Sequence, residues 1–126
     1  METMNIQTPG LHHLALRVSD LERAKDFYIN KLGFQKILEQ PGLCIILAGS
    51  TPIGLRGPDE QTPTGDSFDP HRIGLDHLAV GCESRDHLEA IANALNKHQI
   101  ENTGIKQTGI TSLNIKTNTL CTLLSN

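Results

Sequence analysis

The chain has no tryptophan, one tyrosine and three phenylalanines, so aromatics are 3% of 126 residues and any core must be aliphatic. It also lacks an excess of positive charge. Eleven Lys and Arg against fourteen Asp and Glu give a formal −3, which excludes the basic field that nucleic acid requires. No apolar run approaches the roughly 20 residues of a membrane span. Residues 1–9 lack the charged-then-apolar layout of a signal peptide. The three cysteines, Cys44, Cys82 and Cys121, form no CxxC pair. An odd, scattered set argues against a disulfide framework, and it fits buried core thiols in a cytoplasmic protein.

What is present is a repeat. Gly10-Leu11-His12-His13-Leu14-Ala15-Leu16 returns 64 positions later as Gly74-Leu75-Asp76-His77-Leu78-Ala79-Val80. A duplication of this length reads as two copies of one supersecondary unit. A chain of this size is one domain, so the copies are expected to share a core.

From Leu11 to Val18 the pattern alternates. Leu14, Leu16 and Val18 fall on one face, and His13, Ala15 and Arg17 on the other. The apolar face is expected to pack on a helix and the mixed face to wall a cavity. Ser19 with Glu22 reads as a capping box. Leu21, Ala24, Phe27, Tyr28 and Leu32 keep helical spacing, and Gly33 supplies the stop. Phe34 to Glu39 and Leu43 to Ala48 read as strands joined at Gln40-Pro41-Gly42, with a third run from Pro52 to Arg56. The stretch 57–72 is rich in Pro, Gly, Asp and Thr, without periodicity. It reads as a linker, by default a plain connection, although its length is enough to cover a site.

The second copy starts at Ile73. Leu78, Val80 and Cys82 form its apolar face; Leu75, His77, Ala79 and Gly81 form the other. Ser84 caps a helix with the stripe Leu88, Ile91, Ala92 and Leu95. Strands are expected at Asn102 to Lys106, Ser112 to Lys116 and Thr119 to Leu124, with a turn at Thr117-Asn118.

The run from Gly10 through Ala24, continuing through Phe27-Tyr28 and Lys31-Leu32-Gly33-Phe34, resembles the opening module of the vicinal oxygen chelate superfamily. That group includes glyoxalase I, fosfomycin-modifying enzymes, extradiol dioxygenases and bleomycin-resistance proteins. Arg72 to Val80 resembles its second module. The resemblance implies an α+β fold of two βαβββ modules whose sheets curl into a cup, paired in a homodimer. On this chain it implies one domain over 1–126, with module one at about 10–57, a linker at 58–71 and module two at about 72–126. It specifies the fold far better than the reaction, because one scaffold hosts many chemistries.

In that family a divalent metal commonly binds a His of the first module, a His of the second and a Glu of the final strand. His13 and His77 match the first two. Imidazole suits Mn, Ni, Fe, Zn or Co, and open positions would let substrate oxygens chelate. The third position departs from the pattern: Thr122 stands where the Glu is expected, and Gly54 stands at the corresponding place of module one. Thr122, Arg17 and Arg56 are candidate substrate-binding residues, the arginines for a carboxylate or phosphate. The plain alternative for either arginine is a rim cation paired with a nearby acid. His12, His71, His87 and His98 read as surface residues. No catalytic residue, other cofactor, nucleic acid or membrane partner is indicated. Two readings stay open: a metal-dependent lyase, transferase or dioxygenase with a degenerate site, and a metal-free small-molecule-binding protein. A member kept for assembly with a partner chain is a third.

Overall fold

In the computed structural model of the chain, residues 2–108, 110–115 and 121–125 are described, those at 108, 110 and 121–125 by backbone only. The first half runs β1 (Leu14–Arg17), α1 (Leu21–Lys25) with a π-helical continuation (Asp26–Lys31), β2 (Gln35–Gln40), β3 (Leu43–Ala48) and β4 (Thr51–Arg56). The second runs β5 (Leu78–Cys82), α2 (Arg85–Lys97), β6 (Asn102–Thr108), β7 (Ile110–Ile115) and β8 (Cys121–Ser125).

Each half builds a four-stranded sheet, ordered β1-β4-β3-β2 and β5-β8-β7-β6. The first and last strands of each half pair in parallel, Leu16 opposite Leu55 and Val80 opposite Leu123, and the other neighbours are antiparallel. A parallel pair needs a crossover, and the helix of each half supplies it. The chain is therefore an α+β protein whose halves share one topology.

Alternation decides which face is buried. Leu16, Val18, Cys44, Ile46, Ile53 and Leu55 form the first core with Tyr28. Cys82, Leu88, Leu95, Leu113 and Ile115 form the second. Each large aliphatic side chain so buried contributes about 1.5–3 kcal/mol. Phe27 and Leu32 pack against both cores. The turn between them is of π type: the Leu32 N–H donates to the Phe27 carbonyl at 2.9 Å, five residues back. The regular α-helix expected over this stretch is corrected to that extent.

Other boundaries also shift. The first helix is capped by Asp20, whose carboxylate accepts from the Arg23 N–H at 3.0 Å; Ser19 accepts instead from the Arg23 guanidinium. Asp20 wins because its oxygen reaches the third N–H of the helix. In the second copy, which starts at Ile73, the strand begins only at Leu78, past Leu75 and His77 of the expected alternation, and Ile73 is fully exposed. Leu75 packs against the first core rather than continuing the strand. The Ser84 cap and the α2 stripe stand as expected, with Leu88 and Leu95 buried. The turn expected at Thr117-Asn118 lies outside the described residues.

Candidate functional site

His13 and His77 each sit one residue ahead of the first strand of their half, and both are exposed. Nδ1 of His13 lies 2.8 Å from Nδ1 of His12, the rings meeting edge-on at 82°. Nδ1 of His77 lies 2.6 Å from Oδ1 of Asp76. His12 is exposed, as its sequence context suggests, but nothing in the sequence signals its contact with His13.

Beyond His13, Ala15 and Arg17 occupy the face of β1 away from the core. Arg17 stands opposite Arg56 and Ala15 opposite Gly54 in the parallel register. Gly54 is buried, and a Cβ there would meet Ala15 and Leu43 at an ordinary 3.7 Å, so space alone does not demand glycine. Arg17 donates from Nη1 to the Gly57 carbonyl at 2.7 Å, and its Nη2 lies 3.4 Å from Asp59 Oδ2. The backbone N–H of Gln61 holds the Asp59 carboxyl below its ordinary range, with the Arg17 charge adding to the effect against partial desolvation. Arg17 is thus a paired cation at the linker's start. Arg56 is exposed beside it.

The linker walls a cavity. Ala15 and Arg17 on one side and Asp66, Phe68, Asp69 and Arg72 on the other enclose an open cavity of about 370 Å³. Arg72 Nη1 binds Asp66 Oδ1 at 2.9 Å, and Asp69 accepts from the His71 backbone N–H at 2.8 Å, which folds the segment onto itself. Sequence reasoning found the linker but not Asp66 or Arg72 as wall residues; the Asp-rich composition was the only signal. A second cavity, about 310 Å³, lies on the helix side between Asp20–Lys31 and the turn after α2 at 98–101, with mixed charges over Phe27.

Thr122 lies, by its backbone, opposite Ala79 and Asn114 in the second sheet; its side chain is outside the described residues. Among the described residues no group of three or more His, Cys, Asp or Glu side chains converges to hold a metal ion. Imidazole chemistry at His13 and at His77 suits a divalent ion, but among the described residues no third His, Cys, Asp or Glu completes a set. No helix among the described residues is long and apolar enough to cross a membrane.

A family model described as the Glyoxalase/Bleomycin resistance protein/Dioxygenase superfamily matches residues 10–115. Uncharacterized protein YwkD of Bacillus subtilis (strain 168) is 39% identical over 88 residues, 61% of this chain and 64% of that protein, so the match spans just under two thirds of the relative. A glyoxylase/bleomycin resistance protein/dioxygenase domain from Frankia sp. EAN1pec superposes with a TM-score of 0.76 at 24% identity, covering 95% of this chain and 93% of that one. A variant of the fosfomycin resistance protein FosX from Listeria monocytogenes, in complex with Mn(II) and a dihydroxypropylphosphonic acid, gives a TM-score of 0.70 at 18% identity, covering 94% and 90%. Likeness at those identities speaks for the fold, curled sheets included, while the family match over most of the chain speaks for descent. The chain belongs to the glyoxalase/bleomycin resistance protein/dioxygenase superfamily.

Proposed function

We propose that the chain binds a small polar organic molecule in the cup of its curled sheets and acts on it with a divalent ion held by His13 and His77. The observation that carries this reading is the matched pair of histidines, each one residue ahead of its strand and each with Nδ1 engaged by its neighbour. Mn, Ni, Fe, Zn and Co all accept imidazole, and Mn(II) in the FosX complex makes manganese the first ion to try. When bound, such an ion acts as a Lewis acid toward substrate oxygens. Arg56, exposed beside a cation already paired, orients an anionic or polar group of the substrate. Arg17 holds the linker that walls the cavity, and reaches the substrate when Asp59 yields. Thr122 adds a hydroxyl where the family carries a carboxylate.

The same reading has two βαβββ modules, about 10–57 and 72–126 joined by 58–71, within one domain that pairs as a homodimer. Strand β2 supports the pairing, since it is exposed throughout and carries Ile37 and Leu38 on an open sheet edge. Buried, unpaired Cys44 and Cys82 suit a reducing cytoplasm. Light scattering on the eluted protein tests the dimer, and a monomer at micromolar concentration would sink it.

The function is tested by elemental analysis and calorimetric titration with Mn²⁺, Ni²⁺, Fe²⁺ and Zn²⁺. One ion per chain is expected, lost in His13→Ala and His77→Ala and held more tightly in Thr122→Glu. No stoichiometric ion under any loading condition would overturn the metal-dependent reading and leave a metal-free binding protein.

A further inference from the structure

The residue ahead of each matched histidine differs between the halves, His12 in one and Asp76 in the other, yet each makes the same contact. The backbone also arrives alike. Gly10 (φ 121°) and Gly74 (φ 141°) each precede their histidine by three residues, in a region that side chains other than hydrogen rarely permit. A Cβ at either glycine would meet nothing within 4 Å, so conformation rather than space calls for glycine.

An ionised carboxylate only accepts, so in the Asp76 contact the His77 ring donates from Nδ1. A neutral ring with its proton there keeps its lone pair on Nε2. In the His12–His13 contact either ring can donate, and one assignment alone makes the halves equivalent: His13 donates and His12 accepts. We propose that His12 and Asp76 are matched positioning residues, each accepting a hydrogen bond from Nδ1 of the histidine that follows, so that His13 and His77 both offer Nε2 as the binding nitrogen. This rests on the reading above that the two imidazoles are the binding pair. Rings that bind a metal commonly give their other N–H to an acceptor of this kind. The first half uses a neutral imidazole where the second uses a carboxylate. A charged acceptor makes the stronger hydrogen bond, so the His77 tautomer is held more firmly than that of His13.

The test is nitrogen-15 imidazole spectroscopy on the metal-free full chain at about pH 8, above the ordinary histidine range. His13 and His77 are expected as Nδ1–H tautomers and His12 as Nε2–H. His12→Ala should release His13 into a tautomer mixture and leave His77 unchanged; Asp76→Ala should do the reverse; His12→Asp should restore His13. Both substituted residues are exposed, and circular dichroism checks that the fold survives. His13 found as Nε2–H in the unsubstituted chain, or either tautomer indifferent to its own neighbour's loss, would overturn the proposal. A parallel Ni²⁺ titration separates it from the functional reading, with each alanine variant expected to weaken binding about 10–100-fold. Tautomers as assigned with no Ni²⁺ bound would defeat the ion-binding reading and uphold the positioning roles. Ni²⁺ bound with other tautomers would do the opposite.

Discussion

The Arg17 guanidinium donates from Nη1 to the carbonyl oxygen of Gly57 across 2.7 Å, joining the first strand to the residue where the linker begins. Its second nitrogen faces Asp59 at 3.4 Å, with both side chains about half exposed. Replacing Arg17 with alanine should cost only about 1 kcal/mol of global stability, because a half-exposed charged hydrogen bond is partly replaced by water. The larger effect should be local. Protease cleavage and amide exchange across 58–72 should rise well beyond the change in the unfolding midpoint. Unchanged linker protection would show that Arg17 does not clamp the segment.

Acid should weaken the fold through Glu39. Its carboxylate accepts from Lys25 and from Lys36, the latter at 2.7 Å, which lowers its pKa from 4.5 to about 2. A depressed carboxyl pKa contributes stability that is complete above the unfolded value and lost as pH falls through the folded one. The Glu39 share should therefore decline between about pH 4.5 and 2. Asp59, also depressed, declines in the same direction. Urea unfolding as a function of pH is the measurement: Glu39→Gln should flatten this limb relative to the unsubstituted chain. Parallel curves would refute the assignment.

Cys44 and Cys82 should resist alkylation in the native protein. They are 0% and 3% exposed, and desolvation raises both thiol pKa values, which suppresses the reactive thiolate. Mass spectrometry after brief iodoacetamide treatment should find both unmodified until denaturant is added. Rapid native labelling of either would contradict its place in the core.

Gln99, just past α2, carries φ 59° where helices usually place glycine. Its N–H donates to the Asn96 carbonyl, and that of Ile100 to Leu95 at 2.8 Å, which closes the helix end. Gln99→Gly should stabilise the protein by up to about 1 kcal/mol, by relieving the left-handed backbone. The urea midpoint should rise with an unchanged slope. A fall would mean that the Gln99 side chain contributes more than its backbone costs.

Leu32→Ala should weaken both halves together, since Leu32 touches both cores. A loss of about 2–5 kcal/mol is the range for a leucine truncated in a core, and the partial exposure of Leu32 favours the lower end. Amide exchange should speed up in β3 and in β7 alike. Acceleration confined to one half would mean that the cores are energetically separate.

Much of this architecture was written in local pattern. Alternation at Leu14-Leu16-Val18 and Leu78-Val80-Cys82 fixed the buried faces, because a strand's side chains can only alternate. The offsets of Leu88, Ile91, Ala92 and Leu95 fixed the inner face of α2, and duplication singled out His13 and His77 from six histidines. What the sequence left open depends on residues far apart in the chain or on side-chain rotation. The pairing of Arg17 with Gly57 spans forty positions. The linker's turn onto β1, which makes a wall of Asp66 and Arg72, has no periodic signature. Phe27 and Leu32 pack against both cores across a π turn, and that shared packing joins residues from both halves of the chain, beyond the reach of local spacing. Local backbone preference and periodicity determined the elements and their faces; only packing in three dimensions decided which polar groups those faces brought together.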